Sequence, residues 1–125
     1  MYISEEMEQL AFDSGISVEY TPLSCRQAEA MVFRGFGFIT VDPRRNDTNA
    51  KKAVAIAHEM GHIRTSTFPP AKDTRAWRWA IKTLLPRRLL TFMLRKCDGH
   101  RWEVAEELDL PEEFVERAMV LYFAC

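Results

Sequence analysis

Two histidines, His58 and His62, stand four residues apart in the segment His58-Glu59-Met60-Gly61-His62. Residues at this spacing on an α-helix lie about 40° apart around the helix axis, so both imidazole rings can reach one metal ion. Neutral imidazole is a preferred ligand of Zn²⁺, and catalytic zinc takes three protein ligands with a fourth position left for water. The segment therefore predicts a metal site with His58 and His62 as two ligands and Zn²⁺ as the metal.

Glu59 lies about 100° further round the helix than His58, so it can approach the open position without binding the metal. Its expected role is that of a general base, which takes a proton from water and passes it to the leaving amine of a peptide. Gly61 lowers helix propensity by about 1 kcal/mol, which indicates that another part of the chain approaches closely there. The alternative is an ordinary amphipathic helix, but a chain with three histidines rarely forms this pattern by chance.

The third metal ligand is less constrained by the sequence. A metzincin would have a histidine six residues after His62, and Phe68 occupies that position. A carboxylate from a later helix is the alternative, with Asp73, Asp98 and Glu103 as the first candidates. Asp73 is the predicted ligand, because a helical hairpin would return it towards His62. The same position suits a helix N-cap or a charge that interacts with the helix dipole, and this alternative stays open.

The elements ahead of this segment follow from periodicity and capping signals. Residues 4–14 form a predicted helix, with Ser4 as its N-cap and Gly15 at its end. Short strands are predicted at 16–20, 30–34 and 36–41, whereas 24–29 is ambiguous. The motif helix then begins at Asp47, Thr48 or Asn49 and ends at Phe68-Pro69-Pro70.

Four more helices are predicted after the motif helix. The first begins near Lys72 and runs through Leu84, and Pro86 either ends it or starts the next, which runs to about Lys96. Asp98-Gly99 is a predicted turn, and the last two helices cover about 101–108 and 111–123. The predicted fold is therefore α+β, zincin-like, with one domain over residues 1–125, an N-terminal helix, a small sheet of about three strands and a mainly helical C-terminal part.

Composition places the chain among ordinary globular proteins, with 125 residues, 47% hydrophobic and 28% charged. The longest uncharged stretches are too short to span a bilayer, and the acidic N-terminus lacks the positive start of a secretory signal. Cys25, Cys97 and Cys125 are scattered and form no C-x-x-C pair. These features predict reduced thiols, a cytoplasmic location and no membrane partner.

Charge is unevenly distributed along the C-terminal half. Residues 72–101 contain nine Lys or Arg and two Asp, whereas residues 102–125 contain seven Asp or Glu and one Arg. Such asymmetry can mark a nucleic-acid face, but attraction between neighbouring helices is the favoured interpretation. Trp77 and Trp79 lie in the basic stretch, and the spacing of Trp77 with Ala80, Ile81 and Leu84 favours a buried stripe over a base-stacking surface.

Taken together, these motifs resemble the ImmA/IrrE family of metallopeptidases, which occurs in phage-like and other mobile elements. The family pattern begins with A-H-E-[LM]-G-H, which residues 57–62 match. It continues with E-x-x-A-x-x-[FW]-A-x-x-x-L-x-P, matched in order by Asp73, Ala76, Trp79, Ala80, Leu84 and Pro86. Residues 103–108 and 111–117 resemble the C-terminal helical pair of the family, and 16–20 and 38–41 fit its strands. The resemblance covers nearly the whole chain.

The resemblance implies a cytoplasmic zinc endopeptidase that cleaves a helix-turn-helix transcriptional repressor, encoded nearby, to induce a mobile element or stress genes. Asp73 stands where the family usually has Glu, so its helix must lie closer to the metal or coordination is weaker. A nucleic-acid partner is not expected, because the C-terminal helix pair is acidic and phosphate would repel it. The alternative function is a non-proteolytic binding module of the same fold that holds a repressor, an antitoxin or a nucleic acid.

Overall fold

The computed structural model describes residues 2–23, 30–33, 37–67 and 73–124, with the backbone alone for 30–33. In these ranges a helix precedes three strands, and five helices follow. The elements are α1 (Ile3–Asp13), β1 (Ser17–Tyr20), β2 (Ala30–Phe33), β3 (Phe38–Val41), α2 (Asn49–Thr65), α3 (Thr74–Leu84), α4 (Arg87–Lys96), α5 (Arg101–Leu108) and α6 (Glu112–Phe123). The predicted α+β class, with a leading helix, three strands and a mainly helical remainder, is confirmed.

The three strands form one sheet in the order β1-β3-β2. The central strand β3 runs parallel to β1 and antiparallel to β2. Ile39, Thr40 and Val41 on β3 are all buried, which shows that both faces of the central strand are covered. Helix α2 packs against this sheet, against α1 and against α3. The motif helix therefore lies at the centre of the molecule.

Helix α2 begins where its sequence predicts. The Thr48 side chain accepts a hydrogen bond of 3.1 Å from the Lys51 N–H, which satisfies one of the free amides of the first turn. Apolar residues at helical spacing, Ala53, Ile56, Ala57 and Met60, are fully buried. The second half of α2, which carries the two histidines, is therefore held rigidly by the core.

The start of α1 differs from the prediction. Tyr2, and not Ser4, is the N-cap residue, and its N–H donates to the Glu5 carboxylate at 3.2 Å. Ser4 is buried in the first turn, where its Oγ donates to Asn49 Oδ1 at 3.0 Å. The predicted cap is wrong because Ser4 makes a tertiary hydrogen bond to α2. Gly15 follows the helix with φ +77°, in the predicted role of terminator.

Some predictions fall on residues outside the described ranges: the ambiguous segment 24–29, the strand residues 34 and 36, the end of the motif helix at 68–70, and Cys25 and Cys125. Cys97 is described and is a buried free thiol, as predicted. None of the described helices is both long and apolar enough to cross a membrane.

The predicted attraction between oppositely charged helices is present at the C-terminal end. Lys96 on α4 lies 3.0 Å from Glu107 on α5. Arg101 at the start of α5 lies 3.5 Å from Glu112 and 3.4 Å from Glu116 on α6. These pairs are exposed, so each contributes a fraction of a kcal/mol and mainly sets the relative orientation of the helices.

The buried carboxylate of Asp42 anchors the end of β3. It accepts hydrogen bonds from the Leu23 N–H at 3.1 Å and the Arg44 N–H at 2.9 Å, and the Arg44 guanidinium lies 3.2 Å away. The hydrogen bond from the Arg44 side chain, with those from both backbone amides, lowers the pKa of Asp42 to about 2. Asp42 thereby fixes the path of the chain from the sheet towards α2.

We expect Asp42→Asn to unfold at a lower temperature than the wild type at pH 7, because the amide nitrogen cannot accept the bonds that the carboxylate accepts. A lowered pKa stabilises the fold above the ordinary value near 3.8, and this contribution is lost as pH falls towards 2. The difference in melting temperature should therefore shrink between about pH 4 and pH 2. Thermal unfolding by circular dichroism measures this, with the exposed Asp47→Asn as control. A difference that does not change with pH would contradict it.

Candidate metal centre

The two histidines of α2 face the same side of the helix, as their spacing predicts. Their ring centroids lie 4.8 Å apart with the ring planes tilted by 47°. His62 is buried and His58 is largely buried, with 16% of its side chain exposed. Both imidazoles are therefore removed from most of the solvent but remain next to each other.

Asp73 completes a cluster of three potential ligands. Its Oδ2 lies 3.5 Å from His58 Nε2, and its Oδ1 lies 3.2 Å from His62 Nε2. Asp73 occupies the N-cap position of α3, yet its side chain makes no capping hydrogen bond. The carboxylate thus faces the histidines and makes no capping hydrogen bond, while its place at the start of α3 also suits an interaction of its charge with the helix dipole. About half of the side chain (48%) is exposed, so the cluster is open on this side.

The close approach of α3 to α2 depends on Gly61. A Cβ atom at Gly61 would lie 2.9 Å from both the Cα and the carbonyl carbon of Ala76, and it would also contact the Ala76 carbonyl oxygen. Ala76 is fully buried against this helix. The prediction that another segment approaches Gly61 closely is confirmed. This contact places the start of α3, and with it Asp73, beside the histidines.

A backbone carbonyl orients His62. Ser66 adopts a left-handed conformation (φ 52°) after α2, and the chain turns so that the Thr67 N–H donates to the His62 carbonyl at 3.1 Å. In return, His62 Nδ1–H donates a short hydrogen bond to the Thr67 carbonyl oxygen. This bond places a proton on Nδ1, so Nε2, on the Asp73 side, is the nitrogen that can bind a metal.

His58 is held by an aromatic stack. Its ring lies parallel to the Trp77 indole, with centroids 4.0 Å apart and planes 12° apart. The Arg117 guanidinium from α6 lies over the same indole, 4.2 Å from the ring centroid. Burial lowers the pKa of His58 to about 4, and electrostatic repulsion from His62 and Arg117 acts in the same direction. The ring is therefore neutral near pH 7, which is the form that binds metals.

Glu59 is buried beside these ligands, with its Oε1 3.9 Å from His58 Nδ1. Burial, together with the negative charge of Asp73, raises the pKa of Glu59 to about 8. A carboxyl group with this pKa exchanges its proton near neutral pH, as a general acid–base group must. A dication nearby would favour its ionised form.

The residues fit a metal ion. One ligand atom each from His58, His62 and Asp73 can be chosen so that all lie within 4.8 Å of one another. In a tetrahedral site with ligand distances of about 2.0–2.1 Å, neighbouring ligand atoms are about 3.3 Å apart. The two histidine–aspartate distances are close to this value, but they involve different oxygens of Asp73, and a set with one atom from each residue has separations of up to 4.8 Å. His58 Nε2 is buried and has no hydrogen-bond partner among the described residues, and a metal ion would satisfy it.

The structure brings together the three predicted ligands, His58, His62 and Asp73, and places Glu59, the predicted base, next to His58. Of the other candidate ligands, Asp98 lies in the turn after α4 with φ 53°, and the Glu103 carboxylate lies 3.4 Å from His100 Nδ1. In the described part of the chain, neither belongs to the cluster. That the cluster binds zinc stays a prediction.

Sequence reasoning missed two contacts at the site. Trp77 was predicted to pack in the core, and its stacking on His58 was not foreseen, although its place four residues after Asp73 put it on the same helix face. The Thr67 carbonyl could not be found from residue type, because every residue has one.

No protein-family model matches this chain, and a comparison with curated proteins finds no match either. The likeness to the ImmA/IrrE family therefore rests on the sequence motifs alone. The chemistry of the site has to be argued from its own geometry.

The Trp77 stack leads to a testable expectation about metal affinity. Trp77→Leu should weaken binding of Co²⁺, used as a spectroscopic probe, by about tenfold, because the His58 ring loses the flat surface that orients it. Trp77→Phe keeps a ring and should retain most of the affinity. Titration of the Co²⁺ absorption bands in both variants measures this. Equal affinity in the wild type and Trp77→Leu would show that the stack does not position His58.

Proposed function

We propose that this protein is a zinc-dependent endopeptidase with His58, His62 and Asp73 as metal ligands and Glu59 as general base. The proposal rests on four side chains in the described part of the chain: His58, His62 and Asp73 lie close enough to share one metal ion, and Glu59 is buried beside them outside this ligand set. Structural zinc sites are closed by four protein ligands, whereas a set of three leaves a position for water.

Bound Zn²⁺ would supply a Lewis acid that polarises a peptide carbonyl and lowers the pKa of a water molecule to about 7. The chain's own groups do the rest. Glu59 accepts a proton at its carboxylate and returns it to the leaving amine. The Thr67 carbonyl holds His62 in its metal-binding tautomer, and the Trp77 indole fixes the plane of His58. The exposed side of Asp73 offers the route by which a polypeptide reaches the site.

The substrate proposed is a helix-turn-helix transcriptional repressor, and the fold proposed is zincin-like with a cytoplasmic location. These points rest on the sequence resemblance to the ImmA/IrrE family. The α+β architecture, with the motif helix packed on a small sheet and followed by a helix that carries the third ligand, is compatible with them.

The test is cleavage of a helix-turn-helix regulator, chosen from the genes that neighbour the gene for this chain, followed by gel electrophoresis and mass spectrometry. We expect Zn²⁺-loaded protein to cut it at a defined bond, 1,10-phenanthroline to stop the reaction, and added Zn²⁺ to restore it. The non-chelating isomer 1,7-phenanthroline is the matched control. Cleavage that survives metal removal would refute the proposal, whereas stoichiometric zinc binding without any cleavage would favour the binding module.

A further inference from the structure

One face of α4 carries a cluster of cations and an exposed aromatic ring. An open groove is lined by Arg87, Arg88, Thr91, Phe92 and Arg95, which recur at helical spacing along two turns, and these five residues are called the basic face. The Phe92 side chain is 62% exposed. The Phe123 ring at the end of α6 borders the face, where the Arg87 guanidinium lies 5.5 Å from its centroid. The basic face therefore offers a partner one large apolar ring framed by three exposed arginines.

The arginines of the basic face are not neutralised by the neighbouring acidic helices. Lys96, on the same helix, pairs with Glu107, and Arg101 pairs with two glutamates of α6. Among the described residues, Arg87, Arg88 and Arg95 have no carboxylate within ion-pair distance. The chain has 18 Asp or Glu and 17 Lys or Arg, so acidic residues are numerous. In the described ranges they pair with cations at the junctions of α4, α5 and α6 and leave this face positive.

We propose that the basic face of α4 docks an acidic amphipathic helix of a partner protein. Arg88 and Arg95 are seven residues apart, about 10 Å along the axis, which matches two carboxylates seven residues apart on a partner helix. Phe92 lies between the two arginines and would contact apolar residues in the middle of that segment. Burial of Phe92 would supply affinity, and the arginine–carboxylate pairs would supply orientation and specificity.

Charge argues against the two other occupants. A nucleic acid would bring a long run of phosphates towards the acidic surface of α5 and α6, where Glu106 and Glu113 are exposed. In a symmetric dimer of this chain through α4, the basic face would meet itself, and the like charges would repel. A short acidic helix neutralises the face without either cost. The proposal goes beyond the peptidase function, since none of the five residues belongs to the metal cluster.

The experiment is fluorescence anisotropy with the full chain and a labelled, helix-forming peptide that has glutamates seven positions apart and leucines between them. We expect saturable binding that weakens as salt rises. Arg88→Glu combined with Arg95→Glu should weaken it at least about tenfold, and Phe92→Ala should weaken it as well. Arg75→Glu combined with Arg78→Glu changes the net charge equally on α3 and should have little effect. Circular dichroism checks that each variant is folded.

Each other outcome overturns the proposal. If the Arg88→Glu, Arg95→Glu protein and the Arg75→Glu, Arg78→Glu protein lost peptide affinity equally, the attraction would come from net charge alone. Tighter binding of a single-stranded oligonucleotide through Arg88 and Arg95 would assign the face to nucleic acid. Self-association in sedimentation experiments that disappears in the Arg88→Glu, Arg95→Glu protein would assign it to a second copy of the chain. If the peptide did not bind at all, the proposal that the basic face docks an acidic amphipathic helix would be wrong.

Discussion

Glu59→Gln is expected to reduce the rate of substrate cleavage by about 10²–10⁴-fold while zinc binding stays nearly unchanged. Glutamine has almost the same shape as glutamate but cannot accept a proton. Glu59 lies outside the cluster of His58, His62 and Asp73, so its replacement removes no metal ligand. Metal content and single-turnover cleavage, measured on the same samples, distinguish the loss of the general base from the loss of bound zinc.

The same variant has a stability signature in the metal-free chain. The pKa of Glu59 is raised from an ordinary value near 4.5 to about 8, so the folded protein holds a proton that the unfolded chain releases in this range. The stability of the wild type therefore falls as pH rises from about 4.5 to 8, and Glu59→Gln escapes this loss. Its melting temperature should exceed that of the wild type increasingly across the window. Stability is commonly sacrificed in this way at functional sites.

Glu113→Gln is the matched control, because Glu113 is an exposed glutamate of α6. It should leave cleavage and metal content unchanged. Full activity of Glu59→Gln would eliminate the proposed base. Loss of zinc from this variant would instead make Glu59 a ligand and would reassign the open position of the site.

The parts of this site that the sequence predicted are those determined by local geometry. The four-residue spacing of His58 and His62 fixes their common face on any helix, and Thr48 is a cap whose hydrogen bond closes within one turn. Gly61 is informative because a glycine inside a helix implies a cost that a close contact must offset. Such signals do not depend on the rest of the fold.

The parts that could not be predicted depend on tertiary contacts. Ser4 is a good N-cap by residue type, but its hydroxyl reaches Asn49 on another helix. The sequence placed Asp73 near His62 but left its capping role open, and the structure shows that its carboxylate faces the histidines without a capping hydrogen bond. Trp77 fits a buried stripe equally well whether it meets an aliphatic side chain or the ring of His58. Periodicity gives the face of a helix, and the partner on that face comes from the packing.

Among the four described glycines, Gly61 is the position where an added methyl group should be most damaging, since Gly61→Ala acts on stability and on the metal centre together. The added Cβ would lie 2.9 Å from backbone atoms of Ala76, which no rotamer change can move away. Overpacking of this kind costs about 1–3 kcal/mol, more than the roughly 1 kcal/mol that alanine gains in helix propensity. We therefore expect a lower melting temperature in spite of the better helix former.

The consequence for the site follows from the direction of the strain. Relief requires α3 to move away from α2, and Asp73 at the start of α3 would move with it, away from two histidines that stay on α2. Zinc affinity should therefore fall by about tenfold or more even at temperatures where Gly61→Ala is folded.

Gly99→Ala is the control: it strains a residue at φ +79° with nothing within 4 Å, so it should lower stability and spare zinc binding. Competition with a chromophoric chelator measures both affinities. Wild-type zinc affinity in folded Gly61→Ala would mean that Asp73 does not depend on this helix contact, or does not bind the metal.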